Sequence, residues 1–204
     1  MEFIYTIRNN LSSETCKEII EKFESDPDKG PGKVGAGVVR PEVKTSTDLH
    51  MTNKPAWEEV DKMLFEKLKE GFQKYRDYLM NNIIEQAVLP EDMPVFDNLL
   101  FNLLQRDHHD DGYQIQRIEK GQYYVWHSDM SNSRGRVVAF IWYLNTIDTH
   151  EGGSTDFLGK RIQPREGDLI FFPATWTYFH TGRPVVGDKA KYIITGFISE
   201  NVPS

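Results

Sequence analysis

At 204 residues, with 39% hydrophobic and 27% charged residues, the chain has the composition of one globular domain with a sizeable core. Its formal net charge of −7 argues against nucleic acid as a partner, because binding phosphates calls for a basic surface. It contains no apolar run of about 18 residues to span a bilayer, and the single cysteine, Cys16, has no partner for an internal disulfide. The opening Met1-Glu2-Phe3-Ile4-Tyr5 lacks a basic segment ahead of an apolar run and does not read as a signal peptide. The expectation is a reduced, soluble, cytoplasmic protein with no membrane and no nucleic-acid partner.

In chain order, residues 3–7 read as a short strand. Ser12 or Ser13 then caps a helix whose apolar residues Cys16, Ile19, Ile20 and Phe23 fall at i, i+3, i+4 and i+7, which puts Cys16 on a buried helix face. Ser25-Asp26-Pro27-Asp28-Lys29-Gly30-Pro31-Gly32 ends that helix. Residues 34–51 are irregular, with strand-leaning pieces at 37–40 and 43–49. Pro55 suits the first turn of a second helix. Its stripe of Trp57, Val60, Met63, Leu64, Leu68, Phe72, Tyr75 and Leu79 runs for about six turns and predicts a helix packed on a sheet.

Pro90 and Pro94 mark a break. Short β-rich runs then follow at 113–118, 122–129, 136–144, 154–157, 168–172, 177–180 and 191–199. Turn signals such as Lys120-Gly121, Ser133-Arg134-Gly135 and Glu151-Gly152-Gly153 separate them. This spacing predicts an antiparallel double sheet. The fold expected is mainly β (α+β) in one domain over 1–204, with helical support in 1–94 and a β core in 95–204.

The chemistry starts at Gln122-Tyr123-Tyr124-Val125-Trp126-His127-Ser128-Asp129. In a strand, residues two apart share a face, so His127 and Asp129 can aim at one point. An imidazole with a carboxylate suits a divalent first-row metal. His180 ends the run Phe171-Phe172-Pro173-Ala174-Thr175-Trp176-Thr177-Tyr178-Phe179-His180, where a strand, a proline turn and a second strand bring it to a sheet end. Two histidines and a carboxylate form the facial triad of non-haem Fe(II) oxygenases, with three coordination positions left open.

Other landmarks stand in order around this set. Gly121-Gln122-Tyr123-Tyr124-Val125-Trp126-His127-Ser128-Asp129 is followed by Arg136 leading a strand to Tyr143-Leu144-Asn145, then by Gly152-Gly153-Ser154-Thr155-Asp156-Phe157. Pro164-Arg165-Glu166-Gly167-Asp168-Leu169-Ile170-Phe171-Phe172 precedes His180, and Pro184-Val185, Gly187 and Lys191-Tyr192-Ile193-Ile194-Thr195 close the series. Residues 95–200 thereby resemble the catalytic core of the Fe(II)/2-oxoglutarate-dependent dioxygenases, and within these the prolyl 4-hydroxylase family.

The resemblance implies a double-stranded β-helix (jelly-roll, cupin-like) core flanked by the N-terminal helices. It implies His127, Asp129 and His180 as iron ligands, with 2-oxoglutarate and O2 as co-substrates and ascorbate as a candidate reductant. The family places a basic residue for the C5 carboxylate of 2-oxoglutarate ten positions after the distal histidine, but that position here is Ala190. Lys191 is chosen, because it directly precedes the hydrophobic closing strand, and Lys189 is the alternative. Tyr143 and Tyr124 match family tyrosines near the co-substrate, whereas Ile118 stands where many relatives have a tyrosine. Arg136 holds the substrate-facing arginine position. Trp142 and Trp176 are read as packing residues, with stacking on substrate as the alternative.

Two further clusters have plain readings beside functional ones. Asp107-His108-His109-Asp110-Asp111 looks like a metal patch but reads better as a solvated turn, because nothing fixes its side chains in one geometry. Residues 43–50 lie where prolyl hydroxylases carry a mobile segment over the active site, and residues 34–51 are either a lid or a surface loop. The function implied is hydroxylation of a C–H bond, foremost on a prolyl residue of a peptide or protein, with release of succinate and CO2. The same chemistry on a free amino acid, another side chain or a small molecule is the alternative, and a non-catalytic binding protein on this fold is a third. The oligomeric state is not readable.

Overall fold

The computed structural model describes residues 2–35, 37–84, 108–130 and 135–200; the expected break at Pro90 and Pro94 and the 94/95 boundary lie outside them. Ser12 caps the first helix, α1 (Ser13–Ser25), by accepting a hydrogen bond from the Thr15 amide at 3.1 Å. The helix buries Cys16, Ile19 and Phe23. Pro55 opens a 3-10 turn (Pro55–Trp57) that leads into α2 (Glu58–Leu79), whose buried stripe is Leu64, Leu68, Gly71, Tyr75 and Leu79. At Gly71 a Cβ would come within 2.8 Å of Leu169 Cδ2, so glycine lets the helix lie against the strand beneath it without displacing that side chain. No helix among the described residues is long and apolar enough to cross a membrane.

The strands form two sheets, and every pairing among the described strands is antiparallel. The larger runs β1 (Tyr5–Ile7), β10 (Leu169–Pro173), β7 (Arg136–Tyr143), β12 (Lys191–Glu200), β5 (Gln114–Ile118), β3 (Thr47–His50) and β2 (Gly30–Pro31). A short strand, β4 (His108–Asp110), pairs with the far end of β12. The smaller sheet runs β6 (Tyr124–His127), β11 (His180–Gly182), β8 (Thr155–Phe157) and β9 (Lys160–Ile162).

Alternation along the central strands divides the core in two. Phe140 and Trp142 of β7, Leu169 and Phe171 of β10, and Ile194 and Ile198 of β12 pack with residues of both helices. Their neighbours Ala139, Ile141, Tyr143, Ile170, Phe172 and Ile193 face the other way and pack with Phe157 of the smaller sheet. One face of the larger sheet is thus closed by helices and the other by the second sheet. This is the helix-flanked double sheet that the sequence implied.

The structure departs from expectation in places. Residues 177–180 are not a strand: Trp176–Tyr178 is a 3-10 turn, and pairing begins only at His180, opposite His127 and Phe157. Residues 108–110 are not a solvated turn, because Asp110, His109 and His108 register against Ile198, Ser199 and Glu200. Trp142 is buried and donates its indole N–H to Asn10 Oδ1 at 2.7 Å. Trp176 is 69% exposed and is therefore not a packing residue.

Residues 43–50 are part of neither a free loop nor a single sheet. The Val125 amide donates to Val43 O at 2.9 Å, and the Thr45 amide donates to Tyr123 O at 2.8 Å, which adds this segment to the edge of the smaller sheet at β6. Two residues later the chain becomes β3 and pairs with β5 of the larger sheet. The segment is a strap from one sheet to the other, while residues 37–42 around its start are mostly exposed.

Candidate active site

His127 is the last residue of β6 and His180 the first of β11, and the two are register partners. Asp129 lies beyond the end of β6, two residues after His127. Between the paired positions His127/His180 and Tyr124/Gly182, β6 has one residue more than β11. This bulge puts Tyr124 on the same side as His127, and their rings stack with centroids 3.6 Å apart.

Ligand atoms of His127, Asp129 and His180 all lie within 4.8 Å of one another, the one such group of three found among the described residues. Asp129 Oδ1 is 3.7 Å from His127 Nε2 and Oδ2 is 3.6 Å from His180 Nε2, too far for hydrogen bonds. Each imidazole is oriented from behind. His127 Nδ1 lies 2.8 Å from Val125 O and His180 Nδ1 lies 3.0 Å from Tyr178 O. A carbonyl accepts only from N–H, so the proton sits on Nδ1 and the Nε2 lone pair faces the gap. Burial, and then His180 beside it, push the His127 imidazole down to about 3, which keeps it neutral. Burial raises the Asp129 carboxyl, opposed by His180, Arg136 and Lys44. A dication in the gap would reverse that shift by direct pairing. The donor set fits a divalent metal such as Fe(II) and leaves room for further ligands.

These groups line a cavity of about 590 Å³. Among its other lining residues are Lys191, Ile118, Thr155, Tyr124 and Arg136. Lys191 is the first residue of β12 and only 3% exposed; its ammonium donates to Gly153 O at 2.8 Å and lies 5.7 Å from the Tyr143 ring centre. Burial pushes it down to about 8. Lys189, the alternative, lies outside the strand and is exposed. Tyr143 is buried, and its hydroxyl donates to Thr155 Oγ1 at 2.8 Å. Ile118 is the register partner of Lys191 and turns an apolar side chain to the cavity. Arg136 lies with its guanidinium 3.6 Å from the Phe197 ring centre and its Nε 3.3 Å from Asp111 Oδ2.

Sequence reasoning missed Lys44. It is 5% exposed, lines the cavity, and its ammonium lies 5.6 Å from the Tyr124 ring centre. Lys44 donates to Asp48 Oδ2 at 2.7 Å, while Ser46 donates to Asp48 Oδ1 at 2.7 Å. The signal was present, since Lys44, Ser46 and Asp48 alternate along one face of a strand-leaning piece. Thr155 and Asp111 were also missed; each is recognisable only through the partner it meets, Tyr143 and Arg136.

Residues 113–199 match the family described as the 2OG-Fe(II) oxygenase superfamily. No curated protein sequence matches the chain. Among solved structures, the chain is similar to a viral collagen prolyl hydroxylase of Paramecium bursaria Chlorella virus-1 in its 2OG complex (19% identity, 98% of this chain and 97% of that one, TM-score 0.66). It is also similar to a Trichoplax adhaerens prolyl hydroxylase in complex with a hypoxia inducible factor peptide fragment (15%, 97% and 84%, TM-score 0.67). A Pseudomonas putida prolyl-4-hydroxylase is a further neighbour (14%, 98% and 94%, TM-score 0.65). At these identities the likeness is one of fold.

Proposed function

We propose that this chain, whose residues 113–199 match the family described as the 2OG-Fe(II) oxygenase superfamily, is a member of it and hydroxylates a prolyl residue of a peptide or protein. When bound, Fe(II) with 2-oxoglutarate and O2 supplies the oxidation of a C–H bond, with release of succinate and CO2. The observation that carries the reading is the convergence of His127, Asp129 and His180 at a cavity that also holds the buried Lys191. The choice of proline is supported by the fold neighbours, which are prolyl hydroxylases, one of them with a peptide bound.

His127 and His180 would hold the metal through Nε2 and Asp129 through a carboxylate oxygen. Lys191 would pair with the C5 carboxylate of 2-oxoglutarate, because a buried anion needs a cation. Tyr143 would position Thr155 for the same carboxylate through the hydrogen bond between their hydroxyls. Ile118 offers no donor, so Lys191 and Thr155 carry that end of the co-substrate. Tyr124 fixes the plane of the His127 ring by stacking on it, and Arg136 stands at the cavity wall for the substrate. The paired sheets keep this chemistry away from bulk water.

Mass spectrometry of proline-containing peptides incubated with Fe(II), 2-oxoglutarate and ascorbate tests the proposal. The expected product is a peptide that has gained one oxygen atom on proline. A gain only on a free amino acid or small molecule would move the substrate assignment, and failure to consume 2-oxoglutarate under any condition would overturn the enzyme.

A further inference from the structure

The wall of the cavity is cationic although the chain is acidic. It carries Lys33, Lys44, Arg136, Arg183 and Lys191 against Asp111 and Asp129, in a chain of 24 Lys and Arg against 31 Asp and Glu. In the proposed complex a dication and a dianionic co-substrate cancel, as do Asp129 and Lys191 beside them. Of the four cations that remain, two are answered: Arg136 by Asp111 at 3.3 Å, and Lys44 by Asp48 at 2.7 Å. The other two are surplus. Arg183 comes only within 3.8 Å of Asp156, a carboxylate already engaged by two Arg161 hydrogen bonds of 2.9 and 2.8 Å. Lys33 is exposed and has no carboxylate partner among the described residues.

The surplus charges line the same cavity as the stacked Tyr124 and His127 rings. Arg183 follows Gly182, the register partner of Tyr124. Lys33 follows Gly32, whose amide donates to Ser46 O on the strap that carries Lys44. A local positive field in an otherwise negative molecule focuses anionic ligands into the cleft and repels long polyanions elsewhere. We propose that the substrate is an acidic peptide, in which Asp or Glu residues next to the oxidised residue meet Lys33 and Arg183. This inference rests on the reading of the cavity as a peptide hydroxylase site.

The test is fluorescence anisotropy of labelled peptides on the protein loaded with Mn(II) and 2-oxoglutarate. One proline sequence is flanked by Asp, by Lys or by Ser, and each peptide has a twin with alanine in place of proline. At low salt the Asp-flanked peptide should bind about tenfold more tightly than the Lys-flanked one, with the difference shrinking as salt screens the charges. The exposed double variant Lys33→Glu/Arg183→Glu should erase or invert that order, while Lys17→Glu on α1 should not, each checked for folding by thermal melt. Equal binding of the three flanks, or an order unmoved in the double variant, would overturn the inference. So would an oligonucleotide of matched charge binding as well as the acidic peptide. The prolyl reading fails separately: if binding follows flank charge but no proline peptide gains oxygen, the charge preference stands and the target residue is wrong.

Discussion

Lys191 is buried where charge is disfavoured, and that gives its proposed pairing with 2-oxoglutarate a pH signature. Burial pushes its ammonium from the ordinary value of 10.5 down to about 8. Because the folded value lies below the unfolded one, the folded chain binds fewer protons between these limits, so this residue's contribution to stability improves as pH rises from about 8 toward 10. Anion pairing needs the protonated form and runs the other way. Titration calorimetry with Mn(II) in place of iron should therefore show 2-oxoglutarate affinity falling roughly tenfold per pH unit above about 8; a flat profile would remove Lys191 from the contact. Lys191→Ala should raise the KM for 2-oxoglutarate far more than Lys189→Ala, and the reverse result would move the assignment. At this scale the sequence was most informative where motif and strand pattern agreed. Lys191 begins a hydrophobic strand and alternation turns it inward with Ile193, while Lys189 falls outside it. Lys44 was signalled only by its alternation with Ser46 and Asp48, a pattern that reads as a solvated strand face until the covering backbone is known.

The strap at residues 43–50 lines the cavity through Lys44, Thr45, Ser46 and His50, and its strength lies in the Lys44–Asp48 pair, whose side chains are 4% and 6% exposed. Removing one partner strands the other charge. Lys44→Met should thus cost roughly 3 kcal/mol in urea unfolding, and Lys44→Met/Asp48→Leu should recover much of it. A double variant no more stable than the single would show that the pair is not what the strap depends on. Gly32 packs over the trio so closely that a Cβ would lie 2.2 Å from Ser46 Oγ and 3.2 Å from Asp48. Gly32→Ala should lower the melting temperature by displacing Ser46, and an unchanged melt would contradict that packing. Elements set by local periodicity, α1 and α2, were readable in advance. Those set by distant partners were not. β4 exists because β12 extends far enough to pair with it, and β11 starts at His180 because from there on the chain lies between β6 and β8.

Across the whole molecule, one sheet serves two faces. Its even alternation gives the helices Phe140, Trp142, Phe171 and Ile194, and gives the cavity side Ile141, Tyr143 and Ile193. The helices support the larger sheet, while the smaller sheet and the residues just beyond β6 supply the candidate triad, so these groups sit on the layer opposite the helices. Antiparallel strands and their order of turns could be read from alternation and glycine signals. The way β6 and the strap join across the cavity could not, since it depends on backbone hydrogen bonds between segments about 80 residues apart. In the proposed function His127, Asp129 and His180 together hold the iron on which turnover depends. The most direct test is succinate formation from 2-oxoglutarate by the wild-type chain and by His127→Ala, Asp129→Ala and His180→Ala, each supplied with Fe(II) and verified as folded. Iron-dependent succinate is expected from the wild type and none above background from the variants; variants turning over at the wild-type rate would overturn the ligand assignment.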